Sequence, residues 1–195
     1  TLHGIKLKSE SAEAVALALP ALQQLRVLQP RRSLWHGAAV LLPPLTAKLV
    51  DFEVCVEKHG ISNLTNFVHL TRLVLHGIPP EGTGQALAAL TGLQQLGLQG
   101  GGDMRAAGVV QQVAGMAQLR SLQLDWYSDE PSELALHVAQ CTQLTSLVLL
   151  VQDLYAQVAA YPWAPALQQL TGLQCLTVYV QVVEAEQGAW LGPLT

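Results

Sequence analysis

The sequence has little of what most function classes require. Aromatic residues make up 5% of its 195 positions and charged residues 12%, about half the usual quarter. Ten Lys+Arg stand against fourteen Asp+Glu, for a net charge of −4. No basic surplus exists to neutralise phosphates, so a nucleic-acid partner is excluded from the expectation. Apolar stretches such as 37–45 and 147–151 fall well short of the roughly 20 residues of a membrane-spanning helix, and Pro43-Pro44 interrupts the first. No membrane span is expected. The chain opens Thr1-Leu2-His3-Gly4, without initiator Met, basic leader or apolar signal core, and reads as a segment of a longer protein. Disorder is excluded as well, because disordered segments combine few aliphatic residues with a high net charge.

Site motifs are missing too. Neither Cys-x-x-Cys nor His-x-x-x-His spacing occurs, so no zinc site is expected. The run Gly97-Leu98-Gln99-Gly100-Gly101-Gly102 lacks the Gly-Lys-Ser/Thr ending of a phosphate loop and is expected to form the turn after a strand. There is no Gly-x-Ser-x-Gly elbow and no evident nucleophile–base pair. The expectation is therefore a protein that is not an enzyme, with no cofactor and no metal.

What is abundant is leucine, 37 residues of it, and 20 glutamines supply much of the uncharged polar surface. The leucines are in register. Leu-x-x-Leu-x-Leu occurs at Leu70/Leu73/Leu75, Leu93/Leu96/Leu98, Leu119/Leu122/Leu124 and Leu144/Leu147/Leu149. Allowing other aliphatic or aromatic residues in the later slots adds Leu2/Ile5/Leu7, Leu22/Leu25/Val27, Leu49/Phe52/Val54 and Leu173/Leu176/Val178. Successive units are 20 to 29 residues apart, and Leu191 and Leu194 open a ninth. Three residues before the first leucine stands a further apolar residue: Leu19, Phe67, Leu90, Met116, Cys141, Leu170 and Leu191, with Thr46 the exception. The phrase is clearest in Leu90-Thr91-Gly92-Leu93 and Leu170-Thr171-Gly172-Leu173.

On these residues the chain resembles the leucine-rich-repeat proteins over essentially its whole length. The resemblance implies an α/β solenoid: a curved parallel sheet on the concave face, and short helices and loops on the convex face. The last two leucines of each motif are two apart, so both point to one side of a strand while the residues between point to the other. One unit cannot bury its leucines alone, whereas stacked units make a continuous core. The array is expected to span 1–195, with eight complete repeats and the start of a ninth, truncated at both ends where further repeats or caps of the same chain would cover the core. Return segments read as helical at 12–19, 85–90, 104–113, 133–140 and 154–160, with Asp103 and Asp153 as N-caps and Pro131 in a first turn. Those containing Pro43-Pro44 and Pro162/Pro165 read as irregular. No Asn ladder follows the third leucine. The helix-like return segments resemble the intracellular varieties, including those of ubiquitin-ligase adaptors.

Cys141 fills a slot that Leu, Phe and Met hold elsewhere and reads as a small buried hydrophobe. Cys55 and Cys175 fall on the open face five units apart, roughly 24 Å at the inter-strand spacing, which is too far for a disulfide. An intracellular, cytoplasmic setting is favoured on that ground. Asn63-Leu64-Thr65 is a lone glycosylation-type triplet, and His69 and His76 read as solvated polar residues.

With the leucines in the core, function falls to the residues between them. The open face is basic in units one and two (Lys6, Lys8, Arg26), acidic in unit three (Asp51, Glu53) and Gln- and Ser-rich in the middle. Its C-terminal units carry Val148, Leu150 and Tyr179. A contiguous apolar patch with a polar rim marks protein contact. The candidate partner-binding residues are Arg72, His76, Gln95, Gln123, Asp125, Val148, Leu150 and Tyr179, with Trp126 and Tyr127 as rim anchors, since aromatics and Arg dominate hot spots. The expected function is a non-catalytic scaffold binding another protein on its concave face. The alternatives are the substrate-recognition part of an F-box-type ubiquitin-ligase adaptor and an architectural subunit of a large assembly.

Overall fold

A computed structural model describes residues 27–28, 49–55, 64–77, 82–101, 105–126, 131–153 and 163–182. The expected helices at 12–19 and 154–160, the cap at Asp103, and Lys6, Lys8, Arg26, Asn63, Leu191 and Leu194 lie outside the described residues. Seven strands, β1 (Val27–Leu28), β2 (Asp51–Cys55), β3 (Arg72–His76), β4 (Gln95–Gly101), β5 (Ser121–Trp126), β6 (Ser146–Asp153) and β7 (Cys175–Val182), form one sheet in chain order. All six pairings are parallel.

Pairing follows the leucine register. Phe52, Leu73, Leu96, Leu122, Leu147 and Leu176 align across the sheet, and so do Val54, Leu75, Leu98, Leu124, Leu149 and Val178. From Phe52 to Leu149 these side chains are buried in a single core, each contributing about 1.5–3 kcal/mol through burial. Phe52 and Phe67 stack within it at 5.2 Å between ring centroids.

The approach to each strand is also repeated. The N–H of the first leucine donates to the carbonyl three residues back, as in Leu93 to Leu90, Leu119 to Met116 and Leu144 to Cys141. That residue in turn donates three further back: Leu90 to Leu87, Met116 to Val113, Cys141 to Val138. This winding brings side chains three apart into line. It adds a layer that the sequence reading did not include, formed by Leu64, Leu87, Val113 and Val138 in the core and Leu167 packed against it. Neighbouring units are then stitched together by one shared acceptor. The Val50 carbonyl takes the N–H groups of Thr71 and Arg72, Thr71 those of Gln94 and Gln95, Gln94 those of Arg120 and Ser121, Arg120 those of Thr145 and Ser146, and Thr145 those of Gln174 and Cys175.

Behind the sheet run a 3₁₀ turn (Leu64–Asn66) and the helices α1 (Thr83–Ala88), α2 (Arg105–Val113), α3 (Pro131–Ala139) and α4 (Trp163–Gln169). The first three of these helices match expected segments to within two residues at each end, and Pro131 is the first residue of α3. Helix α4 corrects the reading of its segment as irregular. Pro165 is its third residue, where a missing N–H costs no intrahelical bond. The glycine run is corrected too. Gly100 and Gly101 belong to β4, where the register slips between Leu98 and Gly101, so the glycines carry a bulge within the strand rather than a turn after it.

Candidate functional site

The face of the sheet opposite the leucines is set by residues alternating with them. Parallel register places Ser121 beside Ser146 and Cys175, Gln123 beside Val148 and Thr177, and Asp125 beside Leu150 and Tyr179. Five of the sequence candidates, Gln123, Asp125, Val148, Leu150 and Tyr179, are thereby brought into one area across β5–β7. Val148 and Leu150 are half-buried and Tyr179 is 59% exposed. Thr177 belongs to the same area and was not singled out from the sequence. Its signal was the column that pairs it with Val148. Gln95, exposed at the start of β4, borders the area through Ser121.

Arg72 and His76 stand elsewhere, on β3, roughly 19 Å from β7 at the usual strand spacing. Arg72 Nη1 lies 2.6 Å from Asp51 Oδ1, and His76 Nε2 lies 2.7 Å from Glu53 Oε1. The acidic residues of unit three thus hold the basic groups of unit four. His76 is 8% exposed, which corrects the reading of it as a solvated residue, although His69 is exposed as expected. The His76 Nδ1 is buried without a hydrogen-bond partner among the described residues. Between Arg72 and His76, Val74 is only 3% exposed although it lies on the sheet face away from the leucine core. A side chain at the neighbouring Gly97 would meet both Val74 methyls at 3.2 Å, so the valine occupies the space that this glycine leaves. The open face therefore has two characters: charges paired with one another on β2–β3, and uncharged polar and apolar groups around Asp125 on β5–β7.

No protein-family model matches the chain, and no curated protein matches it. Among solved structures, an internalin C2 from Listeria monocytogenes is similar, with a TM-score of 0.53 at 17% identity, covering 91% of this chain and 71% of that one. An internalin (inlF) from the same organism gives a TM-score of 0.48 at 14% identity, covering 93% and 54%. At such identity the first likeness shows the fold alone. The chain folds as an α/β leucine-rich-repeat solenoid.

In this solenoid the β5–β7 area lies on the concave side. Trp126 closes β5, but its indole and all of Tyr127 lie outside the described residues. No group of three or more His, Cys, Asp or Glu suited to a metal ion occurs among the described residues. No described helix is long and apolar enough to cross a membrane. Cys141 is fully buried in the core, its Sγ 3.5 Å from the His137 carbonyl, and burial pushes its thiol up to about 11. A thiol so held is neutral and packed at physiological pH. Cys175 is exposed on β7.

Proposed function

We propose that the chain is a non-catalytic scaffold that binds another protein on the concave face, over β5–β7. The observation that carries this reading is the adjacency of Val148, Leu150, Thr177 and Tyr179 on two paired strands, partly or largely open to solvent and bordered by Gln123 and Asp125. An apolar and aromatic patch with a polar rim loses little by desolvation when a protein covers it, and a tyrosine offers a large contact area with few torsions to freeze. The paired charges of β2–β3 favour this placement, since Arg72 and His76 already have acidic partners within the chain.

The test compares what is retained by the wild type, by Leu150→Asp with Tyr179→Asp, and by Leu136→Asp on the exposed side of α3. Quantitative mass spectrometry should show one set of proteins lost with the sheet-face variant and kept by the helix-face variant. Equal retention by all three would remove the concave face from the reading.

A further inference from the structure

Charge is divided unevenly along the chain. All ten Lys+Arg lie in residues 1–120, whereas residues 121–195 hold seven of the fourteen Asp+Glu and neither a Lys nor an Arg. With histidine neutral, the second stretch is −7 and the first, which holds the other seven carboxylates, is +3. Residues 121–195 contain β5–β7, and parallel pairing puts the C-terminal ends of these strands on one rim of the sheet. Asp125 is the next-to-last residue of β5 and Asp153 the last of β6. Asp129 and Glu130 follow β5 in the chain, and Glu184 and Glu186 follow β7, outside the described residues. The described guanidinium groups lie elsewhere. Arg72 is held by Asp51, and Arg120 Nη1 is 2.6 Å from the Ala117 carbonyl oxygen, before β5 begins and roughly 16 Å from Asp125 at the rise of a strand.

We propose, resting on the reading that the concave face binds a protein, that the partner presents a basic and apolar segment, with Lys or Arg placed beside aliphatic or aromatic residues. Asp125, Leu150 and Tyr179 stand in one row across β5–β7, so about 10 Å separates the acidic end of the row from the aromatic end. A protein laid over Val148, Leu150 and Tyr179 also draws water off the Asp125 carboxylate, which is part-buried already. Desolvating a carboxylate is costly unless a cation arrives with the covering surface. An acidic segment would be repelled by the whole C-terminal stretch, whose uncompensated charge attracts cations from beyond contact range. The row also sets the spacing: about 10 Å is spanned by three residues of extended chain or by two turns of helix.

A phage-displayed library of random short peptides, selected on the full-length protein, tests this, with the Kd of synthesised winners measured by fluorescence anisotropy. Winners should carry Lys or Arg within about seven positions of an apolar residue, and Asp and Glu should be depleted among them. Their Kd should rise about tenfold or more on Leu150→Ser with Tyr179→Ser, and about threefold or more on Asp125→Asn. On the wild type it should rise about fivefold or more between about 0.05 M and about 0.5 M NaCl, a readout that needs no variant to fold. Winners that require Leu150 and Tyr179 but show no excess of Lys and Arg, or that ignore both Asp125→Asn and salt, overturn the basic partner and leave the concave-face reading standing. Winners indifferent to Leu150→Ser with Tyr179→Ser overturn that reading and the proposal with it, as does a library that yields no winner.

Discussion

At the residue scale, chemistry and packing are legible to different degrees. Cys141 was readable from its slot, because a position that takes Leu, Phe and Met elsewhere must be apolar and buried. Its burial has a consequence in alkali. The folded chain keeps the thiol protonated up to about pH 11, while the unfolded chain releases that proton near pH 9.0. The unfolded state therefore binds fewer protons between these values, and stability falls as pH rises through that window, by about 2–3 kcal/mol at most. Below it the thiol has no effect on the pH profile. Urea titrations at pH 8 and pH 10.5 should show a steeper loss for the wild type than for Cys141→Ala, whose core carries no ionisable group at that slot. Gly84 was not readable, since its reason is a neighbour 28 residues away. A Cβ there would lie 2.8 Å from both Cβ and Cγ of Gln112 and 3.3 Å from the Val109 Cα. Alanine improves helix propensity by about 1 kcal/mol, yet the clash between α1 and α2 should outweigh this and leave Gly84→Ala about 1–3 kcal/mol less stable than wild type. A midpoint at or above wild type would show that the two helices part freely.

At the scale of elements, the strands were legible because a two-residue period inside a repeated motif fixes both their position and their register. Helix α4 was not, because Pro162 and Pro165 read as breakers until the helix start is placed at Trp163 and Pro165 falls in the first turn. The pairing of Asp51 with Arg72 was present in the sequence as opposite charges at the same position of neighbouring units, whereas Glu53 reaches His76 across positions two residues apart. Both went unread because each column was treated as a surface for a partner rather than as a junction between units. Arg72 and Asp51 are each partly exposed, so their coupling should be about 0.5–1 kcal/mol in a double-mutant cycle of Asp51→Asn and Arg72→Gln. A coupling indistinguishable from zero would mean that the pair positions the strands without stabilising them. Side chains also join units where no charge is involved. The Gln143 amide donates to the carbonyls of Ala114 and Met116, one unit back, and Gln118 reaches Leu90 in the same way. The Gln-rich composition is thus partly structural, and Gln143→Ala should cost about 1–2 kcal/mol in chemical denaturation.

At the scale of the whole molecule, successive units from β2 to β7 meet through the same apolar levels and the same kind of shared carbonyl, so energetic coupling should decay within one repeat. A stack of this kind approximates a sum of unit stabilities and nearest-neighbour terms. Leu96 and Leu122 face each other across β4–β5, whereas Leu73 and Leu147 lie at the same level but three strands apart, roughly 14 Å. All four are buried, and each alanine variant alone should cost about 2–5 kcal/mol. The distant pair should then add to within about 0.5 kcal/mol, since no side chain is shared between the two cavities. The adjacent pair should depart from additivity by more than that, because the second truncation removes part of the wall of the first cavity and lets the site relax. Equilibrium unfolding in urea of the four single and two double variants measures both terms. Equal departures for the two pairs would show the core responding as one body, and the leucine register would then describe how the chain is built without describing how its stability is distributed.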